Sequence, residues 1–269
     1  MPDLRPRRVR WSCVGSLTAL IAALVSSGAC GLNLSHDVEA RDEWKRTYTL
    51  APGASFEIKN TNGRIRIVPI DGDIAEVKAD RIVKAATEES AKTALQQFEI
   101  AESVSPTSVV IDASSRGMGF TVRLQRRADF EVRLPRWANV RLGATNGDIE
   151  VSGLQGTFRA TSTNGRIVGS ALEGGATVET TNGVVNLDFA KLTDAGVTCE
   201  TTNGTISVTV PRDTGARISA RVTNGAISTS DLQMAVAEQS RRRLEASIGG
   251  GGPPIKLETT NGSIAIRGR

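Results

Sequence analysis

Histidine occurs once in the 269 residues, at His36, and the chain holds only three cysteines, one tyrosine and three tryptophans. His36 stands apart from the repeats described below. His-based acid–base catalysis, Ser–His or Cys–His nucleophiles and His-rich metal sites are therefore excluded from the repeat region. Cys13 lies in an apolar leader, which leaves Cys30 and Cys199 and no disulfide framework. Aromatics make up only 4%. Sugar-binding modules usually offer aromatic platforms, and two of the few rings, Phe56 and Phe158, fall at inward positions, which disfavours a dedicated carbohydrate module. The core must come from Ile, Val, Leu, Ala and Thr, residues that suit a pleated, half-buried surface. Charge of one sign is also scarce. Residues 1–29 carry Arg5, Arg7, Arg8 and Arg10 against Asp3, a net +3 of the formal +4, leaving +1 on the rest. The pI of about 9.2 thus belongs to the leader and gives no argument for nucleic acid as a partner.

A long membrane-spanning run is missing too. The apolar stretch Val14 to Val25 falls short of the roughly 20 residues a span needs. With the basic Arg5–Arg10 stretch before it and Ser27-Gly28-Ala29 after it, residues 1–29 read as an export signal, with an uncleaved anchor as the alternative. Cys30 follows at once. Ala29-Cys30 resembles the bacterial lipobox, with Ser27 where Leu is usual, and ordinary signal peptidase would also accept Ser27 and Ala29. The expectation is a lipidation site at Cys30, a tether over residues 30–44, and a protein held on a membrane outside the cytoplasm, in the periplasm or at the cell surface.

Glycine and internal repetition are what the chain has in quantity. Asn-Gly occurs seven times, at Asn62-Gly63, Asn146-Gly147, Asn164-Gly165, Asn182-Gly183, Asn203-Gly204, Asn224-Gly225 and Asn261-Gly262, each time after a threonine. The spacings are 84, 18, 18, 21, 21 and 37 residues. Alignment on the Asn exposes columns. Three residues after it stand Ile65, Ile149, Ile167, Val185, Ile206, Ile227 and Ile264. Four before it stand Ile58, Leu142, Ala160, Val178, Cys199, Ala220 and Leu257, and six before it another apolar column from Phe56 to Ile255. The two-residue alternation makes each flank a strand with one buried face. Gly permits, and Asn tolerates, the positive φ of a tight turn, so the Asn-Gly pairs are expected to be structural turns. The fold class is all-β. A parallel β-solenoid explains the near-constant period and the column identities, with Thr and Asn laddering between coils. An antiparallel β-meander remains the alternative, because Asn-Gly between alternating strands is also a hairpin signal.

The repeated Glu-Thr-Thr-Asn-Gly at 179–183, 200–204 and 258–262 resembles a bacterial putative-adhesin family, domain of unknown function 4097, over roughly residues 45–269. Its mark is repeated Thr-x-Asn-Gly-x-Ile stretches behind an export or lipoprotein signal. The resemblance implies a β-helix-like fold and no established activity.

Two insertions interrupt the repeats. Between about 71 and 137 the pattern predicts a strand from Ile74 to Val83 and a helix capped by Thr87, with Glu88 and Glu89 in its first turn. Its apolar stripe is Ala91, Ala94, Leu95 and Phe98. Further strands are expected at Val109 to Ala113 and Phe130 to Leu134, and the helix should cover an open solenoid end. Between about 232 and 254, Arg241, Arg242 and Arg243 precede Gly249 to Gly252 and Pro253-Pro254. This reads as a mobile Gly/Pro-rich loop, with no strand and helix to make it a phosphate cradle.

Chemistry is hard to find. Cys199 sits in an inward aliphatic column and reads as a small buried hydrophobe. Glu179 and Glu200 share an outward column with Arg221 next, and a Glu200–Arg221 surface pair is expected. No catalytic residue, metal site or cofactor is assigned. The reading is a non-enzymatic envelope protein, a scaffold or adhesin-like interaction surface with an envelope protein or glycan as partner. The alternative is a β-helix enzyme acting on envelope polysaccharide. Carboxylates clustered in a groove would favour the enzyme.

Overall fold

The Thr-Asn-Gly segments break the two-residue alternation. In the last repeat Ile255, Leu257 and Thr259 are buried before the Asn, and Ile264 and Ile266 after it. The step from Thr259 to Ile264 is odd, so one buried face survives only if the chain turns a corner at Asn261-Gly262. The computed structural model describes residues 38–114 and 124–269. In chain order its strands are β1 (Val38–Thr49), β2 (Ser55–Asn62), β3 (Ile65–Ile70) and β4 (Ile74–Ala85). After helix α1 (Glu88–Gln96) come β5 (Ala101–Ser105), β6 (Ser108–Ala113), β7 (Gln125–Pro135), β8 (Asn139–Asn146) and β9 (Ile149–Ser152). Then follow β10 (Phe158–Asn164), β11 (Ile167–Leu172), β12 (Ala176–Asn182), β13 (Val185–Phe189), β14 (Val197–Asn203) and β15 (Ile206–Val210). The last four are β16 (Ala216–Ser230), β17 (Met234–Gln239), β18 (Arg243–Ile248) and β19 (Pro254–Gly268).

These strands form one 19-stranded, mostly parallel sheet with two wings that meet at the Asn-Gly corner. Strands before the corner stack in parallel in the order β6, β2, β8, β10, β12, β14, β19, β16. Strands after it stack as β7, β3, β9, β11, β13, β15, with the second halves of β19 and β16 completing the series. The inward columns of both wings merge into one core, in which Ile58, Ile65, Val178, Val185, Leu257 and Ile264 are fully buried. The arrangement is a solenoid-like stack and excludes the meander. Cys199 lies opposite Val178 and Leu257, and Val208, its partner in a hairpin, lies opposite Leu187 and Ile266.

Several expectations need correction. The seventh repeat is not the last rung. β19 lies between β14 and β16, so the spatial order of the corners is 62, 146, 164, 182, 203, 261, 224. Ala220 is therefore two rungs from Cys199, with Leu257 between. The first repeat is displaced in the same way: β2 and β3 lie between β6–β7 and β8–β9, both later in the chain. Residues 38–44, expected in a tether, form the first part of β1. The expected loop at 232–254 contains β17 and β18, a hairpin paired to the outside of β16. Sequence alternation is weak in β17, which buries almost nothing, whereas β18 alternates, with Leu244, Ala246 and Ile248 buried.

Antiparallel strands cover both wings at one end of the stack and the first half of β16 at the other, where they shield the open edge of a parallel stack. At one end β4 pairs with β7 and β1 with β4, while β5 pairs with β6. The helix forms as its sequence predicts. The Ser90 amide donates to Thr87 Oγ1 at 3.2 Å, Ala91, Ala94 and Leu95 are buried, and α1 packs against β1 and β4. The Tyr48 hydroxyl donates to Glu102 Oε2 at 2.6 Å, and Arg46 Nε to Glu102 Oε1 at 2.9 Å, tying β1 of one wing to β5 of the other. Burial and the Glu102 carboxylate hold the Tyr48 phenol well above its usual pKa. At the other end, the expected Arg run does backbone work. The carbonyls of Arg242 and Arg241 accept from the Val222 and Ile227 amides at 2.9 and 3.0 Å, closing the edge of β16 at its corner.

Candidate functional site: a threonine and glutamate groove

The seven asparagines form one unbroken ladder. Asn146 donates to Asn62, Asn164 to Asn146, Asn182 to Asn164, Asn203 to Asn182, Asn261 to Asn203 and Asn224 to Asn261, all at 2.8–3.0 Å. Asn62 ends the series by donating to the Arg126 carbonyl at 3.0 Å. The glycines beside them are required by contact more than by φ. Gly63, Gly165, Gly225 and Gly262 are left-handed as expected, but Gly147, Gly183 and Gly204 are not. A Cβ on Gly204 would stand 1.8 Å from the Gly183 carbonyl oxygen, and one on Gly147 2.0 Å from that of Gly63. The corner backbones of successive rungs touch, and no side chain fits between them.

Two residues before five of the seven Asn runs a buried polar column: Asn60, Ser162, Thr180, Thr201 and Thr259 are each less than a tenth exposed, while Ala144 and Val222 hold the same position in the other two repeats. Thr259 Oγ1 donates to the Gly204 carbonyl at 3.2 Å, and Asn60 Nδ2 to the Ala128 carbonyl at 2.8 Å. The hydroxyls of Ser162, Thr180 and Thr201 have no hydrogen-bond partner. Above this column lies a groove of about 830 Å³, floored by the rungs and lined by Thr145, Thr163, Thr181, Thr202, Thr223 and Thr260. Along it, three residues before each Asn, stand Lys59, Gly143, Thr161, Glu179, Glu200, Glu258 and Arg221 in rung order.

The strand insertion changes the charge pattern expected here. Glu258 stands between Glu200 and Arg221, so the expected Glu200–Arg221 pair does not form as neighbours. Three glutamates occupy adjacent rungs, about 4.8 Å apart by strand spacing. Lys256 partly neutralises them. Its Nζ lies 3.1 Å from Glu200 and 3.6 Å from Glu258, and the Glu200 hydrogen bond and both carboxylates raise its pKa. The sequence carried a signal for Glu258: the identical Glu-Thr-Thr-Asn-Gly pentapeptides at 179, 200 and 258 are the three adjacent rungs, like stacked on like.

Cys199 is fully buried, and burial raises its thiol pKa, as a packing residue requires. Cys30 and His36 lie outside the described residues. Among the described residues no helix is long and apolar enough to cross a membrane, and no cluster of His, Cys, Asp and Glu is arranged to hold a metal ion. A second depression, of about 480 Å³, on the other wing mixes Lys45, Arg66, Lys78 and Arg133 with Glu76 and Glu131. Its charges are largely spent on neighbours, as in Lys78–Glu43 at 3.0 Å and Arg133–Glu76 at 3.4 Å.

A parallel two-winged stack with a Thr-Asn-Gly corner on seven successive rungs defines a class of repeat proteins. The chain belongs to the Toastrack family, domain of unknown function 4097, which it matches over residues 54–267. Among solved structures it is similar to a putative cell adhesion protein from Clostridium sporogenes, at 12% identity and a TM-score of 0.42, covering 85% of this chain and 100% of that one. A putative adhesin from Bacteroides fragilis matches at the same identity and score, covering 85% and 97%. A putative lipid binding protein from Parabacteroides distasonis scores 0.29 at 12% identity, covering 84% and 96%. No curated protein sequence matches the chain.

Proposed function

We propose that the chain works outside the cytoplasm, held to a membrane by an acylated Cys30, as a non-enzymatic scaffold or adhesin-like module whose contact surface is the threonine and glutamate groove. The observation that supports this most is that the groove is a product of the repeat itself. The same residues that build the rungs present a long, exposed, hydroxyl-rich and anionic strip, suited to an extended partner with hydrogen-bonding and cationic groups. A basic segment of an envelope protein has that chemistry in full, and a glycan has its hydrogen-bonding part. The leader before Cys30 supports export, and Ala29-Cys30 supports the anchor.

The three clustered carboxylates favour a second reading, an enzyme acting on envelope polysaccharide, since a retaining glycosidase places its carboxyls roughly 5–5.5 Å apart. The environments weigh against it. Glu200 and Glu258 have similar exposure, 45% and 40% of the side chain, and share one lysine. Acid–base work needs surroundings that drive two carboxyls apart, and equivalent positions on one wall do not supply them.

The test has two arms. Cys30→Ser should release the protein into the soluble fraction, and failure of labelled fatty acid to enter the wild type would remove the anchor. In the soluble form, Glu200→Lys with Glu258→Lys should keep the melting temperature and weaken retention on isolated envelope material about tenfold. Unchanged retention would move the contact surface elsewhere. Release of reducing ends by the wild type, lost in Glu200→Gln, would establish the enzyme.

A further inference from the structure

The strand that carries the seventh repeat fills a place between strands that precede it in the chain. β16 is laid one rung beyond its predecessor, and β17 and β18 fold along its outer side. What is left between β14–β15 and β16 is a slot one strand wide. β19 enters it and is paired in parallel on both edges, to β14 and β15 on one side and to β16 on the other.

The slot is selective. Ile255, Leu257, Ile264 and Ile266 of β19 are fully buried in it. Asn261 donates to Asn203 and accepts from Asn224, so the ladder crosses the slot only through an asparagine. A Cβ on Gly262 would stand 1.9 Å from the Gly204 oxygen, and one on Gly225 1.6 Å from the Gly262 oxygen. Only a strand with the Thr-Asn-Gly pattern fits, and another copy of β19 fits by identity.

The connection to β19 is held by few bonds: the Arg217 amide donates to the Pro253 carbonyl and the Gly251 amide to the Ile248 carbonyl, both at 3.0 Å. Gly249, Gly250, Gly251 and Gly252 all have φ in the left-handed region and carry no side chain to anchor. Pro253 and Pro254 follow, and Pro254 opens β19. A link of four glycines gives up little more than these backbone bonds when it takes another path, and exchange of an identical element keeps the contacts of the strand itself.

We propose that the slot between β14–β15 and β16 is a strand-exchange site for a second copy of this chain. β19 of each molecule fills the slot of the other. Closed and exchanged forms share the same buried contacts, so concentration decides between them. A short flexible link gives β19 an effective concentration on the order of millimolar in its own slot. The closed monomer dominates in dilute solution, and exchange rises where copies are crowded.

The test uses the full chain with Cys13 and Cys30 replaced by serine. Ser207 on β15 and Ala265 on β19 are partners in register, both partly exposed. Ser207→Cys and Ala265→Cys chains are refolded together over a range of concentrations and then oxidised. A covalent heterodimer that grows with concentration is expected, while the double variant in one chain closes internally when dilute. A mixture of Ser207→Cys with Val104→Cys, at opposite ends of the stack, serves as the control. Deleting Gly250 and Gly251 should shorten the hinge and shift the mass measured by light scattering toward the dimer. Heterodimer no more abundant than the control at every concentration, with the shortened hinge still monomeric, would overturn the proposal.

Discussion

The Asn-Gly corner and the groove beside it are built from neighbouring residues of the same pentapeptide, yet they tolerate change very differently. At the corner the backbones of successive rungs touch, each asparagine is bonded to the next, and a single Cβ meets a carbonyl oxygen at 1.6–2.1 Å along the whole glycine column. Three residues before the Asn, the outward column ranges from Gly143 through Thr161 to Glu200 and Arg221 without disturbing a rung. Repetition of Asn and Gly is therefore a requirement of stacking. The outward column, which the stack leaves free, is where one rung differs from another.

The sharpest way to break this comparison is Gly204→Val. The obstacle is the Gly183 oxygen, 1.8 Å from the new Cβ, a backbone atom that cannot rotate away. Destabilisation of about 3 kcal/mol or more is expected, lowering the melting temperature by roughly 10 °C. A melting curve within a degree or two of wild type would show that the rungs can part at the corner. Asn203→Ala should do less. It removes one bond given and one received, but the side chains are exposed and water replaces part of both. A loss of about 1–2 kcal/mol by urea titration is expected.

The smallest effect also carries the sign that sharpens the comparison most. Thr259 and Thr180 share one buried column, but only Thr259 has a partner, the Gly204 carbonyl. Thr259→Val should cost about 1 kcal/mol, whereas Thr180→Val, which removes a buried hydroxyl without a partner, should be neutral or slightly stabilising. Equal losses at both positions would show that Thr180 makes an equivalent bond in solution.

Much of this was legible in the sequence because period and chemistry agreed. The isoleucine column after each Asn fixed the inward face, and the corner asparagines laddered as expected. Helix α1 was readable from Thr87 and its alanine stripe. What could not be read was rung order. Identical repeats carry no label for their neighbours, and β19 satisfies the place beside β14 as well as β16 would. That is why Glu258 was missing from the expected glutamate row and Arg221 was assigned one rung too near. β18 carried a signal, the alternation of Leu244, Ala246 and Ile248, which the Arg run and the glycines on either side obscured; β17 escaped for a different reason. β17 is an outer strand with only Met234 partly buried, so no alternation announced it. The arginines after β17 looked like surface charge because their contribution is made through carbonyls, which a side-chain pattern does not register.

The displaced rungs at the two ends also set an order of assembly. Along the asparagine ladder, the partners are 18 or 21 residues apart from Asn146 to Asn203. They are 84 apart between Asn62 and Asn146, and 58 between Asn203 and Asn261. Loop closure favours the short spans first, and rates fall as contacts become less local. The middle rungs thus nucleate from sequence neighbours, while each terminal pair waits for a segment that must travel back past a strand already made. A chain emerging from its amino end cannot wind this stack turn by turn. Its centre keeps a raw edge beside β14 and β15 until β19 returns past β16, and the time spent in that state is governed by how quickly that end closes.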